Sequence, residues 1–389
     1  MITYQVKLRK IGDMTTLPDS QRLFGFLVNN SKKCCSEDEI SSFVRDVRMQ
    51  NQNCMISNLM PLGYCPTPKN FIMQKLEKVL SENKKAIELY EEKQRKLKNK
   101  SKRIVNEIKN SDNNYKNKNK TIKEELEKIK NEFNELAIQI NNLSAKNIYE
   151  SIKSMDFVEI EGLEEILKLA ERGKVVRVED LKKIRHIKKT DNFIQKFLLD
   201  HQIKGVPGIP NIAYSLPILH FIDNMGNIQN EFSFFVRVEE ESCISKCLEE
   251  IKKNITVREM PCFLGNKGSS GYNEYRIYNI EKQNNKNFEK RSNNEEVLIN
   301  LGVLLPNIDN IDAENSILDI ITSDRKPFEI ENEIPKVISF ISAGSIIKVK
   351  DGNINLFKIG KSIDNSKYNP LYENSIIFGN SYFVELEVK

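Results

Sequence analysis

Residues 261–277 read PCFLGNKGSSGYNEYRI, and the fold turns on this stretch. Gly265, Gly268 and Gly271 fall within seven residues, with Lys267, Ser269 and Ser270 between them. Glycine has no Cβ, so such a loop takes up positive φ readily and lets another chain approach its backbone. Successive amide N–H groups can then converge on one phosphate while a lysine adds charge. The same pattern also serves as a plain structural turn. It is not a Walker A loop, because no Gly-Lys-Ser/Thr opens a helix after it. A helical pattern over 242–253 precedes it and a strand-like run over 272–280 follows. The expected order is therefore helix, glycine loop, strand.

The chain has 389 residues, which suits two domains plus an insertion and can bury a good core. It carries 60 Lys and Arg against 55 Asp and Glu, a net charge of +5 that permits nucleic-acid binding without demanding it. Lys, Asn and Ile are abundant and Trp is absent. An AT-rich genome produces that bias with no functional meaning. No run of 18 apolar residues and no signal-peptide pattern occur, so a soluble cytoplasmic protein without a membrane partner is expected. Seven cysteines stand at 34, 35, 54, 65, 243, 247 and 262, none in a C-x-x-C pair. Cys243 and Cys247 share a helix face, but a zinc site needs two more ligands and the chain has three histidines. The reading is reduced thiols, with no metal and no cofactor.

Residues 4–10 alternate, with Val6 and Leu8 against Gln5, Lys7 and Arg9, and read as a strand. A helix begins near 18–20 and carries Leu23, Phe24, Phe26, Leu27 and Val28. A second helix over 37–48 has Ile40, Phe43, Val44 and Val47 on one face. A strand over 53–59 runs into a proline-punctuated segment, 61–69, that cannot be helix interior. Further on, 156–160 reads as a strand and 163–172 as a helix. Residues 177–202 read as a polar helix with Lys182, Lys183, Arg185, His186, Lys188 and Lys189 clustered, either a solvated face or an RNA contact. A loop at 205–210 and strands at 212–221 and 231–238 follow. Beyond the glycine loop, 283–294 suits a linker or an exposed hairpin. Strand-like runs then recur at 296–305, 316–322, 337–341, 345–349, 355–359 and 381–388, with Ala343-Gly344-Ser345 between two of them.

Residues 71–143 differ in kind. Ile122, Leu126, Ile129, Phe133, Leu136, Ile140 and Leu143 are spaced 4,3,4,3,4,3, a strict heptad seam. Met73, Leu76, Leu80, Ile87, Tyr90, Leu97, Ile104 and Ile108 keep the same register, interrupted by Asn83, Gln94 and Ser101. Between the arms, 110–120 is a poor helix former. The pattern reads as an antiparallel coiled-coil hairpin, with dimerisation along the seam as the competing reading. Its tip, 98–120, is basic, with Lys98, Lys100, Lys102, Arg103, Lys109, Lys116, Lys118 and Lys120 against only Glu107 and Asp112.

With the hairpin removed, the first half runs strand, helix, strand, strand, helix, glycine loop, strand, the βαββαβ order of a ferredoxin-like domain. Such a sheet is a common RNA platform, although no RNP-type aromatic signature is present. The residues now carry a resemblance. Leu17-Pro18-Asp19-Ser20-Gln21-Arg22-Leu23-Phe24-Gly25, Met60-Pro61-Leu62-Gly63-Tyr64-Cys65-Pro66-Thr67-Pro68-Lys69, the glycine loop 265–271 and Ala343-Gly344-Ser345 are similar, in that order, to stretches of the RAMP superfamily of CRISPR effector proteins. More narrowly, the chain resembles the Cas-five group and the fourth subunits of type III-A Csm complexes over residues 4–70 and 150–389. The long hairpin departs from that pattern.

The resemblance implies an α+β fold of two ferredoxin-like (RRM-like, RAMP) domains with an inserted antiparallel coiled-coil hairpin. The domains would be 1–70 with 150–282, the insertion 71–149, and a strand-rich RAMP domain at 295–389. It implies a structural subunit without a catalytic residue that holds the 5′ tag of the crRNA. Its partners would be the large polymerase-like subunit and a backbone RAMP subunit, with target RNA met indirectly. The RNA-binding residues would be Ser20, Arg22, Gly265, Lys267, Gly268, Ser269, Ser270, Gly271, Gly344 and Ser345. Ser20 is equally a local helix cap and Arg22 equally a solvated side chain. Two other classes stay open. One is a metal-independent endoribonuclease of precursor crRNA using His186, His201 or His220, with His186 the best placed. The other is a coiled-coil scaffold with no RNA role.

Overall fold

The computed structural model describes residues 1–110, 118–173, 175–198, 212–283, 297–325, 336–350, 355–366 and 374–386. His201, the loop expected at 205–210 and most of the linker expected at 283–294 lie outside the described residues, as do residues 111–117 between the arms. In chain order the elements are β1 (Ile2–Lys10), α1 (Ser20–Ser31), α2 (Glu37–Arg48), β2 (Cys54–Ile56), β3 (Met60–Pro61) and β4 (Cys65–Pro66). Next come α3 (Lys69–Asn110), α4 (Lys118–Leu143), α5 (Ala145–Ser154), β5 (Phe157–Val158), α6 (Ile160–Glu171) and α7 (Val178–Lys182). Then follow β6 (His186–Leu198), β7 (Ile212–Asp223), β8 (Glu231–Val238), α8 (Cys243–Ile255), β9 (Met260–Phe263) and β10 (Glu274–Gln283). The chain closes with β11 (Val297–Asn300), β12 (Ile320–Arg325), β13 (Lys336–Ile341), β14 (Ile346–Ile347), β15 (Ile363–Asp364), β16 (Ile376–Ile377) and β17 (Phe383–Leu386). This is a mixed α+β protein with antiparallel sheets. Among the described residues, no helix is long and apolar enough to cross a membrane.

Two compact units divide the chain. The first comprises Met1–Pro68, Asp156–Ile160 and His186–Lys389. Its main sheet has the order β2-β8-β1-β10-β9, with β3 also on β8. Alternation along β1 turns Tyr4, Val6 and Leu8 to one face, where all three are fully buried. Phe232, Phe234 and Val236 of β8 lie directly opposite them in register. Tyr4 reaches α8, its hydroxyl donating to Glu249 (2.8 Å) and lying 3.0 Å from Ser245 Oγ, so this is the face that the helix covers. α2 starts with a capping box between Ser36 and Glu39 and buries Ile40, Phe43, Val44 and Val47, the face its periodicity marks. Phe24 of α1 stacks on Phe378 at 4.4 Å and packs beside Phe43 at 6.5 Å.

Residues 177–202 are not one helix. α7 takes only Val178–Lys182, and from His186 the chain enters β6, which pairs with β7 from Ile187↔Asp223 to Leu198↔Ile212. β4, β5, β6 and β7 form a four-stranded sheet. Thr190, Phe193 and Ile194 favour a strand, and twelve paired positions outweigh the weak helical pattern. The basic cluster is thereby split between a helix, a turn and a strand. The C-terminal part also departs from expectation. Among its described residues there is no α-helix, and its strands form three small sheets, β14-β11-β17, β12-β13 and β15-β16. A second helix-covered sheet is therefore not what these residues build.

The second unit, Lys69–Met155 with Glu161–Arg185, is helical. α3 and α4 run antiparallel: Asn83 bonds near Leu143, Gln94 near Phe133 and Lys100 near Glu125. Away from the base, Ile87, Tyr90, Leu97, Ile104, Ile122 and Leu126 are half-buried, as the heptad spacing predicts for two helices meeting along one stripe. At the base the buried stripe of α3 is Ile72, Leu76, Val79 and Asn83, rotated from the expected Met73 and Leu80. α5 supplies the reason, since Ile148 and Ile152 are buried there and α5 packs on α3. The polar seam positions are cross-links. Asn83 is 1% exposed, donates to the carbonyls of Leu143 and Val176, and accepts from the amide of Val176.

The distal arms bury little and their ion pairs are exposed, so they contribute modestly to stability. Replacing 87–133 with a short Gly/Ser linker, which keeps Asn83 and its partners, should leave a folded protein. Its thermal transition should lie within a few degrees of wild type, and loss of the cooperative transition would place the arms in the core.

Candidate nucleic-acid interface

The glycine loop connects β9 to β10 in a hairpin, Phe263 pairing with Glu274 and Met260 with Ile277. The expected order of helix, loop and strand thus lacked β9, a four-residue edge strand with Pro261 on its open side. Gly268–Ser270 form one 3-10 turn, flanked by Lys267 at φ 63° and Gly271 at φ 79°. A lysine in the left-handed region is uncommon and strained, so the loop is over-determined by its surroundings.

Asn273 supplies that determination. It is fully buried, and its own φ is 56°, which asparagine tolerates. Its side chain accepts from the amide of Thr15 (2.9 Å) and donates to Thr15 Oγ1 (2.8 Å) and the carbonyl of Asn266 (2.8 Å). Its backbone donates to the carbonyl of Asp13 and accepts from the amide of Leu264. Every polar group of one buried side chain therefore ties the loop to the segment 12–16. A Cβ at Gly265 would lie 2.5 Å from the Asn273 amide, and one at Gly12 would lie 2.2 Å from the carbonyl of Gly271. These two glycines are required for close approach. The amides of Ser270, Gly271 and Tyr272 are consumed within the turn by the carbonyls of Lys267 and Gly268. They are not a free phosphate cradle, which corrects the simplest reading of the loop. Exposed at its tip are Lys267, Ser269 and Ser270.

Ser20 is neither the cap nor an exposed ligand. Asp19 caps α1, accepting from the amide of Arg22 at 2.8 Å. Ser20 is fully buried, its Oγ accepts from the amide of Val303 (3.1 Å), and its own amide donates to Asn58 Oδ1 (2.8 Å). Ser345 is 1% exposed and its Oγ accepts from the amide of Asp319. Gly344, at φ 91°, donates its amide to the carbonyl of Asn300, and a Cβ there would meet the carbonyl of Thr67 at 3.2 Å. Ser20, Gly344 and Ser345 thus build a junction rather than a ligand surface. Asn300 is its hub, donating to the carbonyls of Gly302 and Ser342 while its amide reaches Ser345.

Arg22 remains at the surface. Its guanidinium donates to Thr16 Oγ1 (3.1 Å), on the segment that Asn273 anchors, so Arg22 and the glycine loop are tied to one strip of chain. Tyr275 is fully buried and its hydroxyl has no hydrogen-bond partner among the described residues. Burial raises that phenol far above its usual range, and the charge of Arg22 opposes the rise. Lys10, directly opposite Tyr275 in register, is held below the usual lysine range by burial, against the pull of Asp13. Sequence reasoning missed Asn273, Asn58 and Asn300, because nothing local in an Asn-rich chain marks which asparagines bond to distant backbone.

His186 opens β6 and His220 lies in β7, both in the four-stranded sheet, and β7 meets the 12–16 segment where the amide of Leu219 donates to the carbonyl of Met14. Among the described residues, no group of three His, Cys, Asp or Glu side chains could hold a metal ion.

These features define an antiparallel α+β protein whose first unit gathers a rigid glycine loop, a surface arginine and a buried junction. Over its whole length the chain is similar to a chain of the Csm3-Csm4 subcomplex of the type III-A CRISPR-Cas interference complex, at 15% identity, 100% of both chains and TM-score 0.47. It is also similar to a chain of the Csm1-Csm4 cassette in complex with AMPPNP (12% identity, 100% of this chain and 99% of that one, TM-score 0.45). The same cassette with cA4 matches at 11% identity, with the same coverage and TM-score 0.44. All three scores lie below 0.5, and the functional weight falls on the residues. No protein-family model and no curated protein matches the chain.

The Asn273 network makes a direct prediction. Asn273→Ala strands the amide of Thr15 and should cost about 2–4 kcal/mol through several lost buried bonds. Hydrogen exchange should speed up selectively over 264–274 and 12–16, and unchanged protection there would remove Asn273 as the anchor.

Proposed function

We propose that this chain is a non-catalytic RNA-binding subunit of a type III-A CRISPR ribonucleoprotein of the Csm kind. It holds the 5′ tag of the crRNA and bridges the large polymerase-like subunit to the backbone RAMP subunits in antiviral defence. The observation that carries this reading is the convergence, inside one unit, of stretches far apart in sequence. Residues 60–69 and 343–345 meet where Thr67 faces Gly344, residues 17–25 join them through the Ser20–Val303 and Asn300–Gly344 bonds of the 300–303 segment, and Thr15 and Thr16 tie 17–25 to the glycine loop. These are the four stretches that resemble the RAMP superfamily.

The order β2-β8-β1-β10, with α1 following β1 and α8 following β8, suits a ferredoxin-like first domain, and α3 with α4 suits a coiled-coil hairpin inserted after β4. The division proposed is 1–70 with 150–282, the insertion 71–149, and 295–389. Chemically, a single strand held by its backbone needs cations and hydroxyls on a rigid support. Lys267, Ser269, Ser270 and Arg22 offer these at the surface.

RNA co-purifying with the tagged protein should be short and share one constant 5′ segment. Its absence, or bulk ribosomal RNA alone, would remove the reading. Lys267→Ala should weaken retention mildly and lower the salt slope by about one phosphate's worth. The protein should leave repeat RNA intact with or without divalent metal, whereas a discrete product lost in His186→Ala would make it a nuclease.

A further inference from the structure

Among the described residues, the face of the main sheet turned away from α1 and α8 is covered over one half. On β8, Phe235 stacks against Tyr382 at 5.3 Å and Arg237 lies over the ring of Phe357 at 5.5 Å, so the C-terminal segment occupies that half. The half formed by β1, β10 and β9 carries Phe263, which is 52% exposed although large and apolar. Cys262 and Tyr275, paired in register, are buried on the helix side, so their neighbours Phe263 and Arg276 project from the open side. Opposite Arg276 stands Arg9, whose guanidinium lies 5.4 Å from the centre of the Tyr278 ring.

We propose that this open half is a base-stacking track for single-stranded nucleic acid. Phe263, Arg276 and the Arg9–Tyr278 pair supply its three planes. The proposal rests on the RNA-binding reading above and adds residues that reading does not use. Glu274 faces Phe263, Arg276 follows it roughly 6.7 Å along the strand, and Tyr278 comes next at the bulge where the register with β1 shifts between Lys7 and Leu8. Rings and guanidinium groups repeated at that interval suit the splayed bases of a single strand, which stack on aromatic and arginine planes.

The glycine loop completes the platform. Gly268 lies against the Phe263 ring, where a Cβ would come within 3.2 Å, so the loop holds the ring from one side and leaves the other open. Carboxylates also border the track. Glu231 and Glu259 lie 3.8 and 3.7 Å from Arg9, Glu281 pairs with Lys7, and Glu274 faces Phe263. They repel phosphate and accept hydrogen bonds from exocyclic amino groups of bases. The sugar-phosphate backbone therefore runs off the face beside the loop, where Lys267, Ser269 and Ser270 are exposed. A protein helix would want a continuous apolar stripe, which this alternation of rings and charges does not offer.

The chain has no tryptophan, so Phe263→Trp introduces a single reporter on the track. A short mixed-sequence RNA oligonucleotide added to the full-length F263W protein should quench its fluorescence, and duplex RNA of the same length should not. Phe263→Ala should weaken single-strand binding about tenfold with an unchanged salt slope, and F263Y should restore it. R276A should weaken binding and lower the slope by about one. Thermal melting of each variant checks the fold, which an exposed ring should not upset. Wild-type affinity in both F263A and R276A, with Lys267→Ala still impaired, would overturn the track and leave the RNA-binding reading standing. Failure of the wild-type chain to bind any single strand would sink both. Loss of a protein from the purified complex in F263A, with RNA affinity intact, would make the face a protein-docking surface and overturn the proposal.

Discussion

The first unit depends on one close approach, at Gly302. A Cβ there would lie 2.8 Å from the carbonyl of Ile56 and from Ser381 Oγ, and 3.2 Å from Ser20 Oγ. No side chain fits, so the exit of β2, the start of α1 and two C-terminal segments meet with backbone against backbone. The backbone amides brought together there are satisfied across the junction. Val303 donates to Ser20, Asn58 to the carbonyl of Leu301, and Ile56 to the carbonyl of Asn380. An unpaired group at such depth would cost about 1–3 kcal/mol, so the junction is stable only as a complete set.

Buried asparagines solve the same problem at three places. Asn83 joins the base of the long helices to the segment at Val176, Asn273 joins the glycine loop to 13–15, and Asn300 joins β11 to 341–345. An asparagine offers two donors and an acceptor on a short stem, so it can satisfy several loop backbone groups that no strand or helix reaches. The compositional excess of asparagine is a poor guide to which of them do so. Each of the three is 0–1% exposed, and that burial separates them from the rest.

Rigid loops and exposed chemistry belong together here. The glycine loop is held by its buried end, so its surface residues are placed without being used for packing. Lys267 sits at a positive φ, Phe263 lies half-exposed against Gly268, and Arg22 is steered by Thr16. Holding a ligand on a surface already ordered spares the entropy of arranging it at binding. The helical unit is built on a different rule, a repeating seam with cross-links at its polar positions, and needs no such loops.

Periodicity alone determined much of this protein. The heptad spacing over 122–143 marks α4 and the distal part of α3, the alternation over 4–10 marks β1, and the apolar face of α2 is where its period places it, because each of these depends on residues within a few turns or strand steps. Tertiary structure decided the rest. β6 is a strand because β7 pairs with it, against a local pattern that reads as helix. The buried stripe at the base of α3 is rotated because α5 covers a second face. Ser20, Gly344 and Ser345 stand in recognisable stretches yet turn inward, since their partners at Val303, Asn300 and Asp319 come from elsewhere in the chain. Local sequence carries the signal for an element, but burial is set by what a distant segment brings against it, and burial decides whether a polar side chain holds the fold or faces a ligand.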